Sequence, residues 1–255
     1  MRQLAQQSGH SISTIRRIIE YWLNHPPLTN HSDLSVVRNL IFDGTFIDQR
    51  KGVFAVMNAK GFSIIHGASE MAEGPAYLEP FCATLRQQGL VPISATIDGN
   101  PHLVRILLHR WPTILIQRCL VHIQRQGLSW CRQYPKRTDA KHLRALFLKV
   151  MSVRTASERD RFVHQLHAWE QQYGHRIACS AEHGWVFSDL KRARSMLLAA
   201  LPDMFRYLDD PLIPKSTNAL EGYFARLKQR YRQHRGLVAH HRSTYFHWYL
   251  LLCPR

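Results

Sequence analysis

The sequence predicts an α/β protein with a mixed β-sheet and a helical block inside or after the sheet. Between residues 36 and 116 the hydrophobic patterns indicate three strands, then a helix, a strand, a helix and a strand. The alternation of the later elements is typical of helices layered on a sheet that contains parallel strands. From about residue 120 to residue 210 we find helical patterns and no convincing strand.

The first 24 residues predict a short helix-turn-helix, with Gly9 in the turn because glycine accepts left-handed backbone angles. The second helix carries Ile12, Ile15 and Ile18. On its outer face, Arg16 and Arg17 are placed to contact the major groove of DNA. The alternative is an ordinary helical hairpin in which the isoleucines are core residues. A unit this small buries little surface, so we expect it to dock elsewhere on the protein. Residues 25–33, which include two successive prolines, predict a linker.

The remaining elements follow in order along the chain. Strands are predicted at 36–42, 52–57, 62–65, 93–97 and 113–116, with helices at 72–88 and 103–108. In the helical block, the apolar spacing predicts helices at 141–150, 157–172 and 190–208. A last helix is predicted at 218–233, with its apolar face formed by Leu220, Phe224, Leu227 and Tyr231.

Composition excludes several protein classes. The 255 residues are 45% hydrophobic, which is enough for a packed core and argues against disorder. Five cysteines, an odd and scattered set, do not suggest a disulfide framework and favour a reducing compartment. No apolar run approaches the roughly 18 residues that a membrane span needs, and the N-terminus lacks the apolar core of a signal peptide. We therefore expect a cytoplasmic protein with no membrane partner.

The positive charge is concentrated in the second part of the chain. The formal net charge is +16. Residues 1–104 hold eight basic and eight acidic side chains, whereas residues 105–255 hold twenty-six and ten. Charge concentrated in this way usually faces a polyanion, most commonly nucleic acid. The alternative is a solvated basic surface that keeps the protein soluble.

Two aspartates occupy the same local setting. Asp43 and Asp98 each follow a predicted strand and precede a glycine. The carboxyl end of a buried strand is a common place for a site in α/β sheets. Carboxylates are also the protein ligands that Mg²⁺ takes together with substrate phosphates. The alternative is that each Asp-Gly pair is only a turn.

Glu221 is the third candidate acid. It stands near the start of the last helix and heads a stripe of cations, which suits a helix that offers a metal ligand and then follows a phosphate backbone. The stripe continues through Lys228, Arg232 and Arg235. The alternative is a capping box, in which Asn218 caps the helix and Glu221 closes the box three residues later.

Cys119 and His122 form a Cys-x2-His pair. Residues three apart share a helix face, so both side chains could bind one ion. A zinc site needs about two more ligands, and the spacing of Cys131 and Cys179 matches no known pattern. A buried cysteine and histidine with satisfied contacts is the simpler interpretation.

Taken together, these stretches resemble the Mutator-like superfamily of DDE transposases of bacterial insertion sequences. The matching stretches are LIFDGTFI, SATIDGN, RCLVHIQR and STNALEGYFARLKQRYRQHRGL, and the resemblance covers roughly residues 34–242. It implies an RNase H-like mixed sheet with an all-helical insertion, preceded here by the short helix-turn-helix. The corresponding division is 34–119 for the first part of the catalytic core, 120–212 for the insertion, and 213–255 for the last part.

The resemblance also implies a function and a set of roles. Asp43, Asp98 and Glu221 would be catalytic and hold two Mg²⁺ or Mn²⁺ ions, while Cys119 and His122 are a family signature near the site. The expected activity is metal-dependent cleavage and strand transfer at the ends of an insertion sequence. Alternatives are a non-transposing metal-dependent nuclease, or a DNA-binding regulator derived from a decayed transposase.

The expected partner is double-stranded DNA, as element ends and as target. A homodimer or higher oligomer would assemble on that DNA, near the nucleoid. The DNA-binding residues are predicted to be Arg16, Arg17, Arg125, Lys228, Arg232 and Arg235. Cations of the helical insertion are expected to grip flanking DNA, namely Arg132, Lys136, Arg137, Lys141 and Arg144. Trp169 or Trp185 is a candidate for stacking on an unpaired base, although core packing is the alternative for both.

Overall fold

A mixed five-stranded sheet forms the centre of the protein. The computed structural model describes residues 1–27, 33–48, 51–179, 184–234 and 236–255. In this part of the chain the strands are β1 (Asn39–Phe46), β2 (Gly52–Asn58), β3 (Ser63–Met71), β4 (Ser94–Ile97) and β5 (Leu115–Arg118). Their order is β3-β2-β1-β4-β5. The first three strands pair antiparallel, whereas β4 is parallel to both β1 and β5. The prediction of an α/β protein with a mixed sheet is confirmed.

Strand β1 extends further than the sequence predicted. Its pairing with β2 continues past Phe42, so that Asp43 lies opposite Ala55 and Gly44 opposite Phe54. The interpretation of Asp43-Gly44 as a turn is therefore wrong. By contrast, Asp98 does follow the end of β4, and Gly99 has a φ of 104° that glycine adopts at no steric cost.

The two faces of the sheet are covered by different helices. Successive residues of a strand point to opposite faces. Leu40 and Phe42 face α3 (Pro75–Gln87) and α4 (Pro101–Arg110). Ile41 and Ala55 face the opposite side, where they belong to the same buried cluster as residues of α10 (Asn218–Tyr231) and α11 (Ala239–Leu252). The second face is the one that carries the candidate site.

The helical block forms a core of its own. Its helices are α5 (Leu120–Cys131), α6 (Thr138–Lys149), α7 (Ala156–Trp169), α8 (His175–Cys179) and α9 (Trp185–Ala200). A π-helical turn joins α7 to α8. As expected, the described residues between 120 and 212 contain no strand. The predicted helix at 190–208 ends instead at Ala200, because Pro202 has no N–H to continue it, and two short 3₁₀ turns follow.

The two tryptophans that are candidates for base stacking differ in burial. Trp169 is buried in the helical core, and its Nε1 donates a hydrogen bond of 3.0 Å to the carbonyl of Asp139. Core packing is therefore the correct interpretation for Trp169. Trp185 begins α9 and is 81% exposed, so base stacking stays a prediction for that residue.

Two helices and a tight turn form the N-terminus. Helices α1 (Arg2–Ser8) and α2 (Ile12–Asn24) are joined through Gly9, which has a φ of 70°. Ile15 is buried, but Ile12 and Ile18 remain about 40% exposed, so this unit has little core of its own. It docks on α11, where the rings of Trp22 and Trp248 meet edge to face at 5.3 Å. Most of the predicted 25–33 linker lies outside the described residues.

Helix α11 was not predicted from the sequence. Its segment, AHHRSTYFHWYLLL, carries aromatic and apolar residues around the whole helix because it packs on both β3 and α2. Gly67 of β3 lets Leu250 approach the sheet closely, since a Cβ at Gly67 would lie 2.9 Å from the leucine side chain. Among the residues that the structure describes, no helix is long and apolar enough to cross a membrane.

Candidate functional site

The pairing of β1 with β4 places Asp43 and Asp98 at the same level of the sheet. In this parallel ladder Ile41 lies opposite Thr96. Asp43 comes two residues later on β1, and Asp98 two residues later, just after β4, so both lie at the same end of this strand pair. Because side chains alternate, Asp43 shares the face of Ile41, which is the face that α10 covers.

Helix α10 brings Glu221 to this face. Leu220, Tyr223, Phe224 and Leu227 are buried against the sheet, so Glu221 lies at the edge of the buried face and is 31% exposed. The residue that precedes the helix is Thr217, and Asn218 is the first helical residue. No side chain caps the helix, so the capping-box interpretation is wrong. The Glu221 carboxylate therefore does not cap α10.

Three contacts fix the start of α10 against the sheet and α5. The Oγ1 atom of Thr96 donates to the carbonyl of Pro214 at 2.7 Å, and the N–H of Leu120 donates to the carbonyl of Lys215 at 3.0 Å. The N–H of Thr217 then contacts Cys119 Sγ at 3.3 Å. These bonds tie the segment before Glu221 to the ends of β4 and β5.

The electrostatics connect the three acids. Burial, with a smaller contribution from the negative charges of Asp98 and Glu221, raises the pKa of Asp43 to about 7. The Gly44 N–H, which donates to Asp43 Oδ1 at 2.8 Å, and the His122 ring act in the opposite direction. The charges of Asp98 and Glu221 therefore affect the protonation of Asp43.

Glu221 is paired with cations in this structure. Its Oε2 lies 3.4 Å from Arg125 Nη2, and its Oε1 lies 3.7 Å from His122 Nε2. The Oε1 atom is buried and has no hydrogen-bond partner among the described residues. Glu221 thus offers a carboxylate oxygen that its surroundings leave unsatisfied.

The donor chemistry of the three acids fits a divalent cation such as Mg²⁺, because all three are carboxylates and one buried oxygen lacks a partner. Their arrangement does not form a ready-made site. Within the described ranges, no three His, Cys, Asp or Glu side chains are gathered closely enough to hold a metal ion.

Cys119 and His122 link the site to the base of the insertion. Cys119 is completely buried between the end of β5 and the start of α5, and its Sγ also lies 3.6 Å from Thr217 Oγ1. The pKa of His122 is raised to about 9, mainly by Cys119 and also by the charges of Asp43 and Glu221, against the effect of burial. Burial alone would raise the pKa of Cys119, but contacts with His122 and Thr217 lower it.

The other cysteines lie away from this pair. Cys131 is buried with the core of the helical block, whereas Cys179 is exposed at the end of α8. The absence of a metal-binding cluster in the described chain covers cysteine as well as the acids. Cys119 contacts Thr217 and His122 contacts Glu221, so the pair lies between α5 and the start of α10.

An open cavity of 640 Å³ lies beside Asp98, and we call it the Asp98 cleft. Its polar lining includes Asp98, Asn100, His102, Arg118, His122 and Arg125. Glu73, in the loop before α3, also lines it, and burial together with the Asp98 charge raises the pKa of Glu73. Glu73 was not predicted because its loop carries no recognisable motif. Arg118 could have been predicted, because it directly precedes Cys119 in the RCLVHIQR motif.

The comparison with known families decides the affiliation of the chain. The model of the family "Transposase, Mutator family" matches residues 57–241, which is more than half of the chain. The chain belongs to the Mutator family of transposases. The match includes Asp98, Cys119, His122 and Glu221, whereas Asp43 lies before it. No curated protein matches the chain.

Membership of the Mutator family implies a transposase role, DNA binding and an enzyme that cuts or transfers DNA strands. The predicted DNA-binding residues of this family member occupy different parts of its surface. Arg16 and Arg17 are exposed on α2. Lys228 is partly exposed on α10, and Arg232 is exposed in the short 3₁₀ turn after it. Arg125 is exposed and pairs with Glu221, as described above. Arg235 lies outside the described residues.

Two of the cations of the insertion form ion pairs within this Mutator-family protein. Arg137 lies 2.9 Å from the buried carboxylate of Asp139, and Arg132 lies 3.8 Å from Asp189. Contact with flanking DNA therefore stays a prediction for these two, and both would have to bind DNA in addition to their acids. Lys136 and Lys141 are exposed, and Arg144 is partly exposed.

Proposed function

We propose that this protein is a DDE transposase that cleaves DNA at the ends of an insertion sequence and transfers the freed 3′-OH to a target. One observation carries the proposal. Asp43 on β1 and Asp98, just after the parallel neighbour β4, lie at the same end of the strand pair, and α10 brings Glu221 to the face of Asp43. Three carboxylates on one face of a sheet, in a protein of net charge +16, suit a phosphodiester substrate held by divalent ions.

We propose further that the sheet is an RNase H-like catalytic core with residues 120–212 as its all-helical insertion. The strand order, the antiparallel pairing of β1 to β3 and the parallel pairing of β4 and β5 support this. The insertion enters after β5 and returns at α10, so it lies between the second and third acids in the chain. The α1–α2 unit would be a helix-turn-helix that presents Arg16 and Arg17 to DNA.

The metal ions of the proposal are Mg²⁺ or Mn²⁺, two in number, held by Asp43, Asp98 and Glu221. When bound, such ions supply activation of water or of the 3′-OH and stabilise the leaving oxygen. The side chains of this protein have their own tasks. Asp43 must lose the proton that its raised pKa favours, and Glu221 must leave Arg125. Arg125 would then be free to bind a phosphate of the DNA.

Nearby positive charges favour the ionised form of Asp43 and the binding of DNA. His122 is positively charged at neutral pH, because its pKa is about 9, and it stands between Cys119 and the acids. It therefore offsets part of the negative charge that builds up when Asp43 ionises. Lys228 and Arg232, further along the chain from Glu221, are placed to hold the phosphate backbone that leads to the site. Because both element ends must be joined, we expect a homodimer or higher oligomer on DNA.

The experiment uses purified protein, Mg²⁺ and a plasmid that carries the DNA flanking the gene on both sides. We expect nicked and joined products, analysed on denaturing gels. Asp98→Asn and Glu221→Gln should abolish both products while DNA binding is nearly unchanged. Cleavage without joined products would indicate the nuclease instead. Specific binding with no cleavage in any metal would indicate the regulator.

A further inference from the structure

The Asp98 cleft continues into a second, apolar cavity. This cavity has a volume of 590 Å³ and lies between α4 and α9, and we call it the apolar groove. It is lined by Pro101, Val104, Leu108, Met196 and Ala199, with Arg105 at its side. Gly99, Pro101, Arg118 and Met196 line both cavities, so the two form one continuous space. Each volume is in the range of roughly 300–1,000 Å³ that is usual for small-molecule sites.

Arg118 stands at the junction of the two parts. It ends β5, and its guanidinium lies against the bare Cα of Gly99, where a Cβ would overlap it. One weak hydrogen bond of 3.4 Å joins Nη2 to the carbonyl of Asp98. The Nε atom is buried with no hydrogen-bond partner, and no carboxylate in the described part of the chain forms an ion pair with this arginine. A partly buried guanidinium that is left unpaired is well suited to an anion, in particular a phosphate.

The neighbourhood of Arg118 carries charges of both signs. The charges of Asp98 and Asp203 act on its guanidinium, and Glu73 lines the same cleft. Arg125 adds a second cation to the cleft, whereas the first N–H groups of α4 are already bound by the Asn100 side chain. Beyond Arg118 the lining changes to methyl and methylene groups. A ligand that both contacts Arg118 and fills the groove would therefore be anionic at one end and have a compact apolar surface at the other.

We propose that this two-part space binds one unpaired nucleotide of the DNA, with its phosphate on Arg118 and its base in the apolar groove. The inference rests on the proposed function, because it sets the unpaired nucleotide next to Asp98. A nucleotide has this division, because its deoxyribose joins an anionic phosphate to a planar base whose faces can stack on apolar groups. The base would leave the stack because paired bases cannot enter a groove of this shape. Arg118 is then a positioning residue, which fixes the strand relative to the acids.

The test measures DNA binding in EDTA, so that its result does not depend on metal-driven cleavage. The probes are two duplexes that carry 2-aminopurine, one with the base unpaired in a single-nucleotide bulge and one with it paired. We expect the bulged duplex to bind about tenfold more tightly, in line with the usual contribution of one bound base. We also expect the fluorescence of the unpaired 2-aminopurine to change on binding.

Two variants separate the base from the phosphate. Ala199 is exposed, so Ala199→Phe should fold and fill the apolar groove, which removes the preference for the bulge but keeps binding to the paired duplex. Arg118→Gln should weaken binding to the bulge and lower the salt slope by about one, and Arg118→Lys should restore part of it. Matched controls are Ala145→Phe on α6 and Arg86→Gln on α3, both exposed residues that line neither cavity.

Three results would overturn the proposal. The first is equal affinity of the unchanged protein for the two duplexes. The second is an Ala199→Phe variant that keeps the preference for the bulge. The third is free 2-aminopurine deoxynucleoside monophosphate binding as tightly as the bulged duplex, which would indicate a site for free nucleotides. If the preference is present but Mg²⁺ gives no cleavage, the proposed function fails while this site stands.

Discussion

At the scale of single residues, the buried carboxyl group of Asp43 lowers the free energy of unfolding when it is ionised. The carboxyl group is only 9% exposed, accepts one hydrogen bond from its own neighbour, and forms no ion pair with any residue that the structure describes. Ionising such a group inside the protein is unfavourable because it has lost its hydration. Its position beside Asp98 and Glu221 adds repulsion. A structural role gives no reason to keep this arrangement, whereas a bound cation does.

The first prediction concerns the stability of Asp43→Asn without metal. The pKa of this aspartate is 3.8 when unfolded and about 7 when folded, so between these pH values only the folded state keeps the proton. Stability therefore falls as the pH rises from about 4 to 7. At pH 8 the penalty is at most about 4 kcal/mol, at roughly 1.36 kcal/mol per pKa unit. We expect Asp43→Asn to be more stable than the unchanged protein at pH 8, by an amount that shrinks toward pH 5.

Urea unfolding in EDTA, followed by circular dichroism, measures this difference. Asp160→Asn is the control, because that carboxyl group is 67% exposed. A gain for Asp43→Asn that stays the same from pH 5 to pH 8 would show that the buried carboxyl group does not titrate as described. Addition of Mg²⁺ should stabilise the unchanged protein and leave the Asn variant unaffected.

The second prediction concerns the Cys119 and His122 pair. Contact with Cys119 is the main reason that the His122 pKa rises to about 9. In Cys119→Ala the ring keeps the burial that lowers its pKa but loses the cysteine. We expect the pKa of His122 to fall, as measured by an NMR titration of the ring protons. The ring signals of exposed His164 serve as the internal control. A His122 pKa that stays near 9 would assign the shift to Asp43 and Glu221 instead.

At the scale of elements, the sequence predicts what depends on local pattern. The core strands were found because Leu40, Ile41 and Phe42 form an apolar run, and α10 was found because its buried residues recur at helical spacing. The extension of β1 through Asp43 depends on pairing with β2, which is not local. Helix α11 was missed because its apolar residues surround it and show no single buried stripe.

The candidate site was predictable to a similar degree. Asp43, Asp98 and Glu221 could be selected from strand ends, a helix and the family resemblance. The cationic partners of Glu221 could not, because Arg125 and His122 reach it from a helix that was not predicted, α5. The Asp98 cleft could not be predicted from the sequence either, because it forms where β4, α4, α5 and α9 meet. Such meetings are determined by tertiary packing.

The third prediction compares two helical glycines. Gly127 of α5 lies against Phe147 of α6, whose ring a Cβ would overlap, so Gly127→Ala forces these helices apart. We expect a loss of about 1–3 kcal/mol in the free energy of unfolding. Gly222 of α10 has open space, with Arg226 Nη1 4.0 Å away, so Gly222→Ala should gain about 0.5–1 kcal/mol.

Thermal or urea unfolding of both glycine variants gives the comparison directly. Because the same methyl group is added to a helix in each case, helix propensity alone predicts a gain for both. Equal gains would mean that α5 and α6 do not approach as closely as the structure shows.

At the scale of the whole molecule, the charge is divided by region. The first 104 residues are neutral and contain two of the three acids, and the remaining residues carry the whole net charge of +16. The basic part contains α5, whose Arg125 pairs with Glu221, and α10, with Lys228 near its end. Cations thus border the acids on the side of the insertion, where DNA would reach them.

The fourth prediction follows from this distribution. Each Lys or Arg that contacts a phosphate adds about one to the slope of log affinity against log salt concentration. We expect the double variant Lys228→Gln, Arg232→Gln to lower the slope by about two. Arg159→Gln is the control, because Arg159 lies between Asp160 and Asp209. An unchanged slope in the double variant would remove these two residues from the DNA interface.

The central claim is that Asp43, Asp98 and Glu221 act together on a DNA phosphodiester. The most direct measurement is strand cleavage and joining of the flanking-DNA plasmid in Mg²⁺ or Mn²⁺ by the unchanged protein and by Asp43→Asn, Asp98→Asn and Glu221→Gln. We predict activity in the unchanged protein and at least a hundredfold loss in each variant, about the effect of removing one group that stabilises a transition state, with DNA affinity nearly unchanged. Full activity in any one of the three variants would contradict the account.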